Sequence, residues 1–223
     1  MKKIFIAALL ITLAITGVFG QNGIISELTG DVELKHAGSQ NFVPASAGAV
    51  VAPNTIISTG FRSSAVITIG SSVITVNPLT RLTLAEIRSS GSTENVNVNL
   101  QAGRVRVDVN PPAGTRANFT VQSPSSTASV RGTSFEMDSG NIIVDKGKVI
   151  LSGTSGLGVM VTGGNTTYSG VSGLPADPVE VAAAALTPSL PVGISVPETV
   201  SQPAVDAELG PTTLTPTPVY PVR

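Results

Sequence analysis

The chain has 223 residues and a formal net charge of −1, with 12% charged and 4% aromatic side chains, no cysteine and one histidine. Disulfides, thiolate metal sites, cysteine nucleophiles and two-histidine metal sites are excluded by that inventory. So small a net charge gives no general attraction to nucleic acid or anionic lipid, and no nucleic-acid partner is expected.

Lys2 and Lys3 precede an apolar run from Ile4 to Ile15, followed by Gly17-Val18-Phe19-Gly20 and Gln21. The run is shorter than the ~20 residues of a spanning helix, and Val18 and Gly20 occupy the positions three and one before a cut. Residues 1–20 therefore read as a signal peptide cleaved after Gly20, with a retained anchor as the alternative. The expected location is the periplasm, the cell surface or the medium, with no membrane span after cleavage. Loss of Lys2 and Lys3 leaves 11 basic and 14 acidic side chains.

From Gln21 to Gly170 the hydrophobic period is two. Strands are expected at Ile24–Leu34, Thr55–Ser58, Ala65–Ile69, Val73–Val76 and Arg81–Ile87. Val96, Val98 and Leu100 alternate with asparagines, and Val105, Val107 and Val109 alternate with Arg104, Arg106 and Asp108. These runs read as two strands facing one core. Gly103 between them permits either a hairpin or a sharp bend from one sheet to another. Further strands are expected at Asn118–Gln122, Ala128–Val130, Ser134–Asp138, Ile142–Val144, Val149–Ser152 and Gly158–Thr162. Gly70-Ser71-Ser72 suits a hairpin turn, and Pro111-Pro112-Ala113-Gly114 should end a strand and carry the chain across. The expected fold is all-β: one domain over residues 21–170, of about ten to fourteen short strands, in a Greek-key β-sandwich or a solenoid-like roll.

From Val171 to Arg223 come ten of the sixteen prolines, five acids and one terminal arginine. This composition cannot bury enough apolar surface to offset its ordering entropy, so residues 171–223 read as a disordered Pro-rich tail. Val179–Leu186, with Ala182 to Ala185, has helical composition but is short for an isolated helix.

The order of the punctuation is informative as well. Gly30-Asp31-Val32 is followed by the segment Gly48 to Gly60 and Ser63-Ser64-Ala65, then by Leu100-Gln101-Ala102-Gly103-Arg104-Val105. Phe119-Thr120-Val121-Gln122-Ser123-Pro124, Val130-Arg131-Gly132-Thr133-Ser134-Phe135 and Val144-Asp145-Lys146-Gly147-Lys148-Val149 complete the series. From Gly23 to Gly163 the chain resembles the FecR domain family, with Ser123 in place of the usual Thr and no acid before Gly70-Ser71. Gly30, Gly60, Gly103, Pro124, Gly132, Thr133, Phe135 and Gly147 carry the resemblance, which implies a fold signature rather than a ligand site. It further implies a relay that takes a signal from an envelope receptor. The cytoplasmic anti-sigma part of such regulators has no counterpart in Met1 to Lys3, so a stand-alone exported module is expected.

Chemistry-bearing residues are sparse. Asp31/Glu33 and Glu136/Asp138 have the two-residue spacing that puts paired carboxylates about 6–7 Å apart on one strand face, but any solvated strand face produces it. His36 has no nucleophile elbow to serve. Arg62, Arg81, Arg88, Arg104, Arg106, Arg116 and Arg131 could grip an anion if gathered on one face, yet residues 21–170 hold ten basic against nine acidic side chains. No catalytic, metal or cofactor-binding residue is assigned and no enzyme activity is expected. The expected function is binding of another envelope protein through the sheet faces or edges, with a glycan or cell-wall contact as the alternative.

Overall fold

The computed structural model describes residues 21–170 and 173–186. Residues 1–20, read from the sequence as a signal peptide, residues 171–172 and the chain beyond 186 lie outside them. The strands are β1 (Gly23–Thr29), β2 (Val32–Lys35), β3 (Val43–Pro44), β4 (Val50–Val51), β5 (Thr55–Thr59), β6 (Ser64–Ile69), β7 (Ser72–Val76), β8 (Arg81–Ser90) and β9 (Thr93–Ala102). They continue as β10 (Val105–Val109), β11 (Arg116–Gln122), β12 (Ser126–Val130), β13 (Ser134–Met137), β14 (Asn141–Lys146), β15 (Lys148–Gly153), β16 (Gly158–Thr162) and β17 (Asn165–Tyr168), followed by the helix α1 (Pro178–Leu186).

Two sheets result, as the alternation requires. The first has the order β17-β14-β13-β10-β7-β6-β1-β4 and the second β16-β15-β12-β11-β9-β8-β5-β2-β3. From β5 onward, sequence order rises steadily along both. The chain lays a hairpin or single strand on one sheet, crosses, and lays the next on the other. Of the two topologies compatible with the sequence, this progression is the solenoid-like roll. Val105, Val107 and Val109 of β10 and Val96, Val98 and Leu100 of β9 point inward, joined by Phe119 and Phe135 in a single core between the sheets.

The described residues hold seventeen strands. The expected run Ile24–Leu34 is divided at Gly30 into β1 and β2, while β3 and β4, two residues each, are too short to show a period. In β17 the buried position is Thr167, so hydropathy alone gives no signal there.

Gly103 is a corner between sheets. It has φ +88°, and a Cβ on it would lie 2.5 Å from Thr80 Cα and 2.7 Å from Leu79 O. The buried Thr80 hydroxyl accepts from Arg104 N at 2.9 Å and donates to Arg104 O at 3.1 Å, tying the corner to the start of β8. The chain leaves β9, runs through β10 on the first sheet, ends at Pro111-Pro112 and returns as β11. β11 pairs with β9 in parallel, Asn118 beside Asn95. Other turns carry the same kind of hydroxyl tie. Ser63 Oγ accepts from Asp31 N at 2.8 Å, Ser123 Oγ donates to Ser139 O at 2.7 Å, and Thr133 Oγ1 donates to Lys148 O at 3.1 Å.

Residues 173–186 lie against β17. Ser169 bridges Pro175, Ala176 N donates to Tyr168 O at 2.8 Å, and Thr167 Oγ1 donates to Ala176 O at 2.6 Å. Asp177 Oδ1 accepts from Val179 N at 2.8 Å with Pro178 following, the capping arrangement that starts α1. Among the described residues no helix is long and apolar enough to cross a membrane.

Candidate functional site

A solenoid-like strip ends in strand edges, and an open edge offers unpaired N–H and C=O groups to another chain. Each sheet has two such ends. β3 and β4 are two residues long, and β3 contains Pro44. β17 is covered by the segment that leads into α1. β16 differs from all three: it is five residues long, Gly-Val-Met-Val-Thr, with no charge, no proline and no described strand on its far side.

Pairing registers place three rows of outward side chains beside that edge. Thr120, Ser129, Ile150 and Met160 form the middle row. Met160 is 58% and Ile150 49% exposed, so the row presents apolar surface to solvent where the sheet stops. Lys148 is opposite Thr162, and the register Val130↔Val149, continued by one residue, sets Arg131 beside Lys148. Gly158 and Ser152 form the third row. The first two rows line a shallow depression of about 610 Å³. Arg131 and Lys148 are exposed and have no carboxylate in ion-pair range among the described residues.

The other charged groups are arranged differently. On the outer face of the first sheet, Arg104 meets Glu136 at 3.3 Å and Asp138 at 3.4 Å, while Arg106 meets Asp145 at 2.6 Å and Asp108 at 3.6 Å. The Glu136/Asp138 pair thus shares one guanidinium. Burial would raise the Asp138 carboxyl, but hydrogen bonds from Gly140 N, Asn141 N and the Asn141 amide, with Arg104 beside it, outweigh burial and hold it below its usual 3.8. A lowered folded-state value means that the ionised group stabilises the fold above pH 3.8, a contribution lost as the pH falls through that lowered value. Asp138→Asn is expected to cost about 0.5–1 kcal/mol at pH 7, and the difference from wild type in urea melts should shrink below pH 3.8.

The remaining candidates are dispersed. Asp31 lies in the loop between β1 and β2, Glu33 is exposed on β2, and His36 is exposed in a turn where its carbonyl accepts from Ser39 N. Arg62 stacks on Phe61, Arg81 on Phe42, and Arg88 pairs with Glu86 at 2.8 Å. Arg116 is exposed at the start of β11. The arginines do not converge on one face.

Residues 55–152 match the family model described as FecR protein. The chain carries a FecR domain. No curated protein matches. Two crystal structures of a candidate anti-sigma factor from Parabacteroides distasonis ATCC 8503 are similar at 17% identity and a TM-score of 0.44. The matches cover 57% and 58% of this chain and 62% and 64% of those chains, so under two thirds of their length is spanned.

Within the FecR domain the signature residues gather at turns. Gly60 N donates to Asp31 O at 2.9 Å, beside Gly30, which precedes the matched residues. Pro124 follows Ser123 in the β11–β12 turn. Gly132 and Thr133 meet Gly147, where a Cβ would stand 2.9 Å from both Gly132 O and Thr133 Oγ1, and Phe135 is buried in the core. The FecR match ends at residue 152, so Arg131, Lys148 and Ile150 fall inside it and β16 beyond it. The sequence reading did not single out Lys148, Ile150 or Met160, because their proximity depends on β12, β15 and β16 being neighbours.

Proposed function

We propose that the protein is a non-catalytic exported interaction module that receives an extended segment of an envelope protein as an added strand on β16. In this reading residues 1–20 direct export and are removed, residues 21–170 form the binding body with 173–186 folded onto its β17 edge, and the rest of residues 171–223 acts as a spacer. It works in the periplasm, at the cell surface or after secretion. The observation that carries the reading is the contrast among the four edges: β3 and β4 are two residues long, β17 is covered, and β16 is a five-residue edge without charge, proline or a covering strand among the described residues. Strand addition gives affinity through main-chain hydrogen bonds, and the side-chain rows supply selection. The FecR domain fits a signalling or envelope role. The Glu136/Asp138 pair supports a non-catalytic reading, because both carboxylates are engaged by Arg104. A glycan partner has less behind it, since the three rows contain no aromatic ring on which a sugar could stack.

Met160→Lys tests the proposal, because a lysine on an edge strand opposes pairing while Met160 is exposed enough for the fold to tolerate it. The tagged full chain should retain an envelope protein whose chemical cross-links map to Gly158–Thr162, and Met160→Lys should lose it at least tenfold. Equal retention by both proteins, cross-links confined to other elements, or retention only by purified wall polysaccharide would overturn the reading.

A further inference from the structure

The same edge says something about the chemistry of the strand it takes, an inference that rests on strand addition to β16. Arg131, one residue beyond the Val130↔Val149 pair, lines the same outward depression as Lys148, and like charges side by side destabilise a sheet. The protein sets Arg104 against Glu136 and Asp138 and Arg106 against Asp108 and Asp145, and it lays Lys35 and Arg81 on the ring of Phe42. At the β16 edge Arg131 and Lys148 have no carboxylate in ion-pair range among the described residues and share one depression with Ile150 and Met160.

We infer that the partner strand carries an acidic side chain in the row of Lys148 and Arg131, and an apolar side chain two residues away in the row of Met160. A strand added beyond β16 places one residue opposite Thr162, the next outward one opposite Met160 and a third opposite Gly158. Strands are spaced about 4.8 Å apart, so the residue opposite Thr162 has its Cα about 10 Å from that of Lys148, within the joint reach of a lysine and a glutamate. The intervening Thr162 is short. An apolar side chain opposite Met160 extends the exposed pair Ile150–Met160 and removes it from water. Gly158 presents no side chain and adds no preference. In an antiparallel strand the motif reads acid-x-apolar from N to C, and in a parallel strand it is reversed.

The test uses the full chain and fluorescein-labelled ten-residue peptides of alternating threonine and valine, with Glu, Gln or Lys at the single position two residues before a central outward valine. In fluorescence anisotropy the Glu peptide should bind about tenfold more tightly than the Lys peptide at low salt, with Gln between them. The margin should narrow as salt shortens the screening length below about 10 Å. Arg131→Glu with Lys148→Glu should reverse the order of the Glu and Lys peptides. Equal affinity for all three peptides would overturn the charge assignment and leave strand addition standing. Failure of every peptide to bind would overturn both. Concentration-dependent dimerisation of the chain alone, abolished by Met160→Lys, would assign the edge to a second copy and overturn the acidic-strand inference.

Discussion

Gly103→Ala should lower the unfolding free energy by about 3 kcal/mol or more, and Gly38→Ala by only about 1 kcal/mol. Both glycines have positive φ, +88° and +78°. They differ in what surrounds them: an added Cβ at Gly38 meets nothing within 4 Å, whereas at Gly103 it lies 2.5 Å from the backbone of Thr80. Gly38 therefore reports the backbone conformation alone, and Gly103 adds a collision with main chain that can be relieved only by moving the corner. That corner sends the chain from β9 on the second sheet to β10 on the first, and Thr80 binds both backbone groups of Arg104 across it. Displacement puts the Thr80 hydroxyl, which is buried, at risk of losing its partners. Urea denaturation of the two variants measures the difference; equal losses would mean that the Gly103 corner is not held by close packing.

Phe135→Ala is the second large effect, with an expected loss of about 3–5 kcal/mol. Phe135 has no solvent exposure and lies on β13 between Val107 of β10 and Val144 of β14. Removing its ring leaves a cavity in a single core to which both sheets contribute, and β13 is held on each side by neighbours that limit collapse into the space. Phe61→Ala supplies the comparison, since Phe61 is 71% exposed and its removal should change stability by less than about 0.5 kcal/mol. Calorimetric or urea unfolding that found Phe135→Ala no worse than Phe61→Ala would contradict the packing described for this core.

Much of the fold is legible in the residues because a half-buried strand writes its orientation as alternation. Val105, Val107 and Val109 fix the inward face of β10, and the glycine at 103 marks a change of direction before any pairing is known. Alternation does not reveal neighbours. That β9 pairs with β11 in parallel depends on the excursion through β10, which is a property of the path rather than of either strand. The hydroxyl ties of Ser63, Thr80 and Thr133 were equally silent, since a serine or threonine at a turn looks the same whether it is solvated or bonded across 15 to 32 residues. The docking edge belongs to this hidden class. Arg131, Lys148, Ile150 and Met160 span thirty positions of sequence, and they become one surface only because the roll stops at β16 while β17 is covered by the segment before α1.

Acid-apolar selection and partner capture both depend on β16 being available for pairing. Backbone amide hydrogen exchange of the full chain, with and without the glutamate-bearing peptide, measures this at the strand itself. Amides within Gly158–Thr162 that exchange freely in the chain alone should slow at least about tenfold on peptide addition, with no slowing in Met160→Lys. Unchanged exchange across β16 while another element becomes protected would contradict the account.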